Sequence, residues 1–254
     1  IQPVSVSVSV GLVSVWNCED REGNFSRAND CTLSTSVKLS GSLSIEGTGG
    51  VTNMTTIFAI DKPHFVLDLA TEHSLTLKKL NLTGGKATKS TTGELSGGSI
   101  VIYSAVEDKH PTLSAENCVF HGNHAGKYGG SIYAIYGGSV TLINVTFIEN
   151  SAYEDGGAVY VTEGRGPLRM TGCVLSTNSA VGAAGGLYIG AGYHNNDVVI
   201  RETSFLQNSG SRSGHQVYIA DAATVTFVNV YMEGCPACTD SSIHQGSTIY
   251  PERC

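Results

Sequence analysis

The chain has 254 residues and a net charge of −7, with 31 glycines, 6 prolines, 41% hydrophobic and only 15% charged residues. That apolar content excludes a disordered chain, and the acidic balance without a Lys/Arg run offers no surface for a phosphate backbone, so no nucleic-acid partner is expected. No apolar run approaches the roughly 18 residues of a membrane-spanning helix, so no membrane-spanning segment is expected.

The first ten residues, IQPVSVSVSV, alternate Val4, Val6, Val8 and Val10 with Ser5, Ser7 and Ser9, the period of a strand with one apolar and one hydroxyl face. The phase changes after Gly11, which predicts a bend there. Residues 1–16 therefore read as a strand arm preceding a single domain over 17–254. Cys18 and Cys31 bracket the turn-rich loop CEDREGNFSRANDC, and Cys235, Cys238 and Cys254 cluster near the other end. Disulfides stapling both ends are expected, with the pairing among the last three open and redox or zinc chemistry at CPAC ranked far lower.

Between these ends the chain repeats. PTLSAENCVFHGN (111–123) returns as SVTLINVTFIEN (139–150), PLRMTGCVLSTN (167–178) and DVVIRETSFLQN (197–208), so Asn123, Asn150, Asn178 and Asn208 recur about every 28 residues. Paired glycines open a strand in GGSI (97 and 129), GGAV (156) and GGLY (185). Weaker copies lie at 36–47, 64–85 and 223–235. A unit of this length with short strands and no helical period cannot bury its apolar face alone and must stack on copies of itself.

The expected fold is all-β, a right-handed parallel β-helix of about seven coils, with coils about 4.8 Å apart. Equivalent positions then stack, Phe120, Phe147, Leu175 and Phe205 as an apolar ladder and the four asparagines as an amide ladder. Cys118 and Cys173 share an inward position two coils apart, too far to bridge, and are expected to be buried thiols.

The GG[AS][IV] and FxxN tetrads over residues 97–208 resemble the repeats of chlamydial polymorphic outer membrane proteins. That resemblance implies a pectin-lyase-like right-handed parallel β-helix and, for function, surface display and adhesion.

Four N-x-S/T sequons stand at Asn24, Asn53, Asn81 and Asn144, and with the cysteines they predict a secreted or cell-surface glycoprotein carrying covalent N-glycans. Carbohydrate-active β-helix enzymes need paired carboxylates on adjacent coils. Glu116 and Glu202 are three coils apart, and Glu149 has Gly122, Thr177 and Gln207 at its equivalent positions, so no catalytic residue is assigned. His121 and His124 flank Asn123 with no further ligands on neighbouring coils, so neither metal nor cofactor is expected. Tyr128, Tyr133, Tyr136, Tyr160 and Tyr188 gather around the glycine corners and leave carbohydrate or a cell-surface receptor open as a partner.

A β-helix has open ends that must be capped or stacked. The valine arm either folds back on its own first coil or is donated to a neighbour, head to tail, which builds a filament. The expectation is a non-enzymatic, structural or adhesive protomer of a self-associating homopolymer joined through Val4, Val6, Val8 and Val10. The competing classes are a lyase, epimerase or glycosidase, and a monomeric glycan- or receptor-binding module.

Overall fold

The structure is a computed structural model that describes residues 5–7, 31–33, 36–39, 41–47, 54–68, 73–88, 95–103, 110–136, 138–164, 166–191, 198–212, 214–220, 225–233, 243–245 and 249–251. The first segment and the last two are described as backbone only. All regular structure among these residues is strand, arranged in four stacked sheets.

One coil shows the plan. The chain runs through Ile132–Ile135 in the first sheet, Val140–Ile143 in the second, Thr146–Ile148 in the third and Ser151–Ala152 in the fourth, then enters the next coil at Val159–Thr162. Each strand pairs in parallel with its equivalents above and below, so Ile132 sits between Ile100 and Val159, and Phe147 between Phe120 and Leu175. In the second sheet seven parallel strands follow from Leu43–Glu46 to Val225–Val228, which is six turns of rise. The fold is thus the expected parallel β-helix, with about six turns where seven coils were anticipated.

The alternation predicted from sequence decides what is buried. Phe120, Phe147, Leu175 and Phe205 stack inward with no exposure, and the Phe120 and Phe147 rings lie 5.0 Å apart with planes 9° from parallel. Cys118 and Cys173 are buried free thiols separated by the coil that holds Val145, as the spacing required. Burial pushes both thiols up to about 11, so they act as small apolar side chains.

Three corners in each of the four central coils, from Gly97 to Gln207, use left-handed backbone. Between the second and third sheets a single residue makes the corner, Lys79, Asn117, Asn144, Gly172, Glu202 or Asn229, all with φ between 49° and 65°. Before each ladder asparagine, Gly122, Glu149, Thr177 and Gln207 do the same. Both corners tolerate a side chain because it points to solvent.

The double-glycine corner differs. Its first residue has positive φ at Gly97, Gly129, Gly156, Ala184 and Gly214. Its second, Gly98, Gly130, Gly157 or Gly185, lies so close to the next coil's fourth-sheet strand that an added Cβ would overlap backbone atoms of His124, Ser151, Ser179 or Ser209 respectively. Aligning GGLY with GGAV in sequence therefore misplaces it by one residue: Val159 pairs with Leu187, so Gly157 matches Gly185 and Gly156 matches Ala184. At the first glycine an added Cβ would meet the carbonyl three residues on in the same corner, a contact that Ala184 accommodates, whereas the second glycine is crowded by the backbone of the next coil. At the last coil His215 takes that place, and no fourth-sheet strand follows Ser209–Gly210 among the described residues.

At the N-terminal end Ser5–Ser7 lies antiparallel to Leu43–Glu46 of the same chain, with Val6 opposite Ile45. The arm thus covers an edge of its own first coil over these three residues. Val4, Val8, Val10 and the bend at Gly11 lie outside the described residues. Cys31 is buried and disulfide-bonded; Cys18, Cys235, Cys238 and Cys254 lie outside the described residues.

Replacing Gly157 by Ala is expected to lower stability by about 1–3 kcal/mol, as overpacking against backbone does. Ala184→Gly, at a position that already accommodates a Cβ, is expected to change it by less than about 1 kcal/mol. Denaturant melts of the two variants check the distinction.

Candidate functional site

The densest polar arrangement lies inside the rod. Asn123, Asn150 and Asn178 each direct both the backbone N–H and the side-chain Nδ2 to the Oδ1 of the next asparagine, at 2.8 to 3.1 Å. The remaining amide hydrogens of the four go to the carbonyls of Leu82, Phe120, Phe147 and Leu175 on the coil below, at 2.8 to 3.1 Å. Every amide oxygen therefore accepts and every amide nitrogen donates, which is the condition for burying an asparagine. The column is directional, all oxygens facing the N-terminal coils.

Two residues that sequence reasoning passed over close the column. At its upper end Gln216 Oε1 accepts from Asn208 Nδ2 at 2.6 Å and from its N–H at 3.3 Å, and Gln216 Nε2 donates to the Glu233 carbonyl. At the lower end Gly85 stands where the asparagine should be and donates its N–H to Asn123 Oδ1 at 2.9 Å. His64 fills the space that Gly85 leaves. Its Nε2 donates to the Ile57 carbonyl and its Nδ1 accepts from the Ser99 hydroxyl, both at 2.9 Å.

His64 and Gln216 occupy one column, the position after the glycine corner, whose middle members are Ser99, Ser131, Ala158 and Gly186. Side chains too large for the middle are admitted only at the ends. The signal was present in the sequence as a large polar residue where other coils have a small one. Among eight histidines, His64 did not stand out.

Outside the first sheet a second column runs up the rod. Tyr133, Tyr160, Tyr188 and Tyr218 are in register, with ring centroids 5.6, 4.5 and 4.8 Å apart, and Tyr128 leans onto Tyr160 at 4.6 Å. Tyr136 of the predicted group lies off the column at a left-handed corner, and Tyr218, not singled out from sequence, belongs to it. Tyr160 and Tyr188 have a ring on either side, so these two present edges and hydroxyls and not a flat face. Burial raises the Tyr160 phenol above its usual range and, with Tyr218 as a lesser cause, takes Tyr188 to about 12. A hydrogen bond to Glu154, with burial second, takes Tyr128 to about 12.

The acids and histidines considered for chemistry are dispersed by the fold. Glu116 pairs with Lys78 at 3.0 Å and Glu46 with Lys79 at 2.7 Å, all four half-exposed. His121 reaches Glu149 at 3.3 Å on the surface, and His124 Nδ1 lies 2.8 Å from the Ser151 hydroxyl one coil up. Burial, with Lys86 as the second cause, lowers the His124 pKa. Among the described residues no three His, Cys, Asp or Glu side chains converge as a metal site would require.

The sequons divide likewise. Asn144 is exposed at a one-residue corner, its Nδ2 donating weakly to Asn117 Oδ1 at 3.3 Å. Asn81 lies in the middle of Leu80–Thr83, with its Oδ1 covered and without a partner. Asn24 and Asn53 lie outside the described residues.

Asn150→Ala would strand the Asn123 N–H and amide and is expected to cost roughly 3 kcal/mol or more, read by chemical unfolding. His64 gives a pH signature. Burial holds its folded pKa at about 4, below the unfolded 6.5, so its contribution is full above pH 6.5 and is lost as pH falls toward 4, by on the order of 3 kcal/mol. Urea melts at pH 7 and pH 4.5 should show this decrement in the wild type, and His64→Gln should reduce it.

No curated protein and no solved structure matches the chain. A family model does match on the two central coils: residues 117–135 and 144–162 each fit the Chlamydia polymorphic membrane protein repeat.

Proposed function

We propose that the protein is a surface-displayed, non-enzymatic β-helix that serves as a structural or adhesive element. The observation that carries this reading is the repeat match, because the family takes its name from membrane proteins and the matched residues hold the ladder asparagines and glycine corners that build the rod. The chemistry of the side chains agrees with it. The buried amides are committed to one another, and Lys78 and Lys79 of the lower coils are paired with Glu116 and Glu46.

The finer reading is self-association. The pairing of Ser5–Ser7 with Leu43–Glu46 has the same hydrogen-bonding whether the strand comes from the same chain or from a neighbour, so donation of the arm is a low-cost route to assembly. N-glycans are assigned to Asn144, whose exposed corner has room for one, in preference to Asn81 with its covered amide oxygen.

Negative-stain microscopy of the oxidised protein, intact and without residues 1–15, tests this reading. Filaments from the intact chain and single rods from the truncated one are the expected pair of results. Folded single rods from both would remove the arm as a joint and leave a monomeric binding module or an enzyme as the better account.

A further inference from the structure

The tyrosine column invites a chemistry that the phenylalanine column cannot perform. Both arise from the same stacking, one residue per coil in register, and the Phe120 and Phe147 rings sit as close and as parallel as the tyrosines. The phenylalanines are sealed in the core, whereas Tyr160, Tyr188 and Tyr218 are half-buried, with their ring edges at the surface. Phenols differ from phenyl rings in one further respect: each can lose an electron and a proton to become a phenoxyl radical, and two such radicals held together couple through the Cε carbons ortho to the oxygen.

We propose that the Tyr160–Tyr188 and Tyr188–Tyr218 pairs are sites of oxidative dityrosine cross-linking, which would staple consecutive coils of the rod covalently. The pairs are stacked at 4.5 and 4.8 Å with planes 10° and 9° from parallel. Holding reactants at contact distance in one molecule replaces a bimolecular encounter by an intramolecular one, with effective concentrations far above any attainable in solution. The oxidant is hydrogen peroxide acting through a haem peroxidase. Two phenols give up two electrons and two protons, one C–C bond forms between Cε carbons, and both rings rearomatise to phenols. The peroxide takes up the two electrons and two protons and leaves as two waters.

The surroundings favour the step. Glu154 accepts a hydrogen bond from the Tyr128 hydroxyl, and Asp155 lies near enough to act on the titration of Tyr128, Tyr160 and Tyr188. Carboxylates beside neutral phenols provide acceptors for the protons that oxidation releases. With Tyr128 and Tyr133 also in contact with Tyr160, an electron vacancy created at any exposed edge can pass along the column to the closest pairs.

The chain supplies its own control. Tyr153 and Tyr231 are 64% and 59% exposed and lie outside the stack, so among the described residues they are the ones that random oxidation would couple between molecules. The experiment treats the full chain, dilute and folded, with horseradish peroxidase and limiting peroxide, then follows blue dityrosine fluorescence and maps products by peptide mass spectrometry. The expected product is monomeric, has lost the mass of two hydrogens, and yields a cross-linked peptide joining Tyr188 to Tyr160 or Tyr218. Tyr188→Phe should remove that peptide, and Tyr153→Phe with Tyr231→Phe should leave it in place. Cross-links confined to dimers through Tyr153 or Tyr231, or fluorescence that survives in monomeric Tyr188→Phe at the wild-type level, would overturn the assignment. Because the map is read on the wild-type chain, it stands even if Tyr188→Phe folds poorly.

Discussion

The structure depends on one constraint, that an amide buried at a corner of the coil must find a partner on the next coil. A strand turning from the third sheet to the fourth points one backbone N–H into the rod, where water cannot reach it. Asparagine answers with an amide whose oxygen accepts that N–H while its nitrogen has two hydrogens to donate onward. Its reach matches the spacing of paired strands, so Asn150 satisfies Asn123 only when the coils are in register. A shift of one residue would break the amide column and turn the phenylalanines outward together. The polar column therefore specifies register while the apolar columns supply most of the driving force, and the two cannot be satisfied separately.

A column of this kind has ends, and each end is a chemical problem. The last asparagine needs an acceptor that is not another asparagine, and the first needs a donor below it. Gln216 and Gly85 supply these, and His64 fills the space beside Gly85. Both large residues enter from the same neighbouring column, whose middle members must stay small. The solenoid thus carries in its sequence the marks of where the amide ladder begins and stops, written in side-chain size as much as in polarity.

Much of this was legible beforehand, for a physical reason. A repeat that places Phe or Leu and Asn three residues apart on four successive coils admits few folds, so the parallel β-helix, the two ladders and the unbridged Cys118 and Cys173 followed from spacing alone. What spacing missed had no period to reveal it. The fourth-sheet strands are two residues long, as at Ser151–Ala152, too short for alternation to show. Ala184 escaped because sequence alignment favours matching glycine to glycine, whereas the backbone needs glycine at the crowded second position and accepts alanine at the first. His64 and Gln216 escaped because each occurs once.

The outer surface follows a different logic. Ion pairs such as Lys79 with Glu46 are about half exposed on both partners, and solvent-screened pairs of that kind contribute little to stability. The inward residues, by contrast, are almost all fully buried. Substitution on the outer faces is consequently nearly free of folding cost, provided the outward position stays outward. A rod whose stability resides in its interior can present a varied surface on a fixed lattice of about 4.8 Å steps, with chemistry chosen column by column. The tyrosine column is the case where that lattice does more than display. It brings like side chains to contact distance along the rod, so a reactive group introduced once per coil becomes a set of reactive pairs without any further change in the fold.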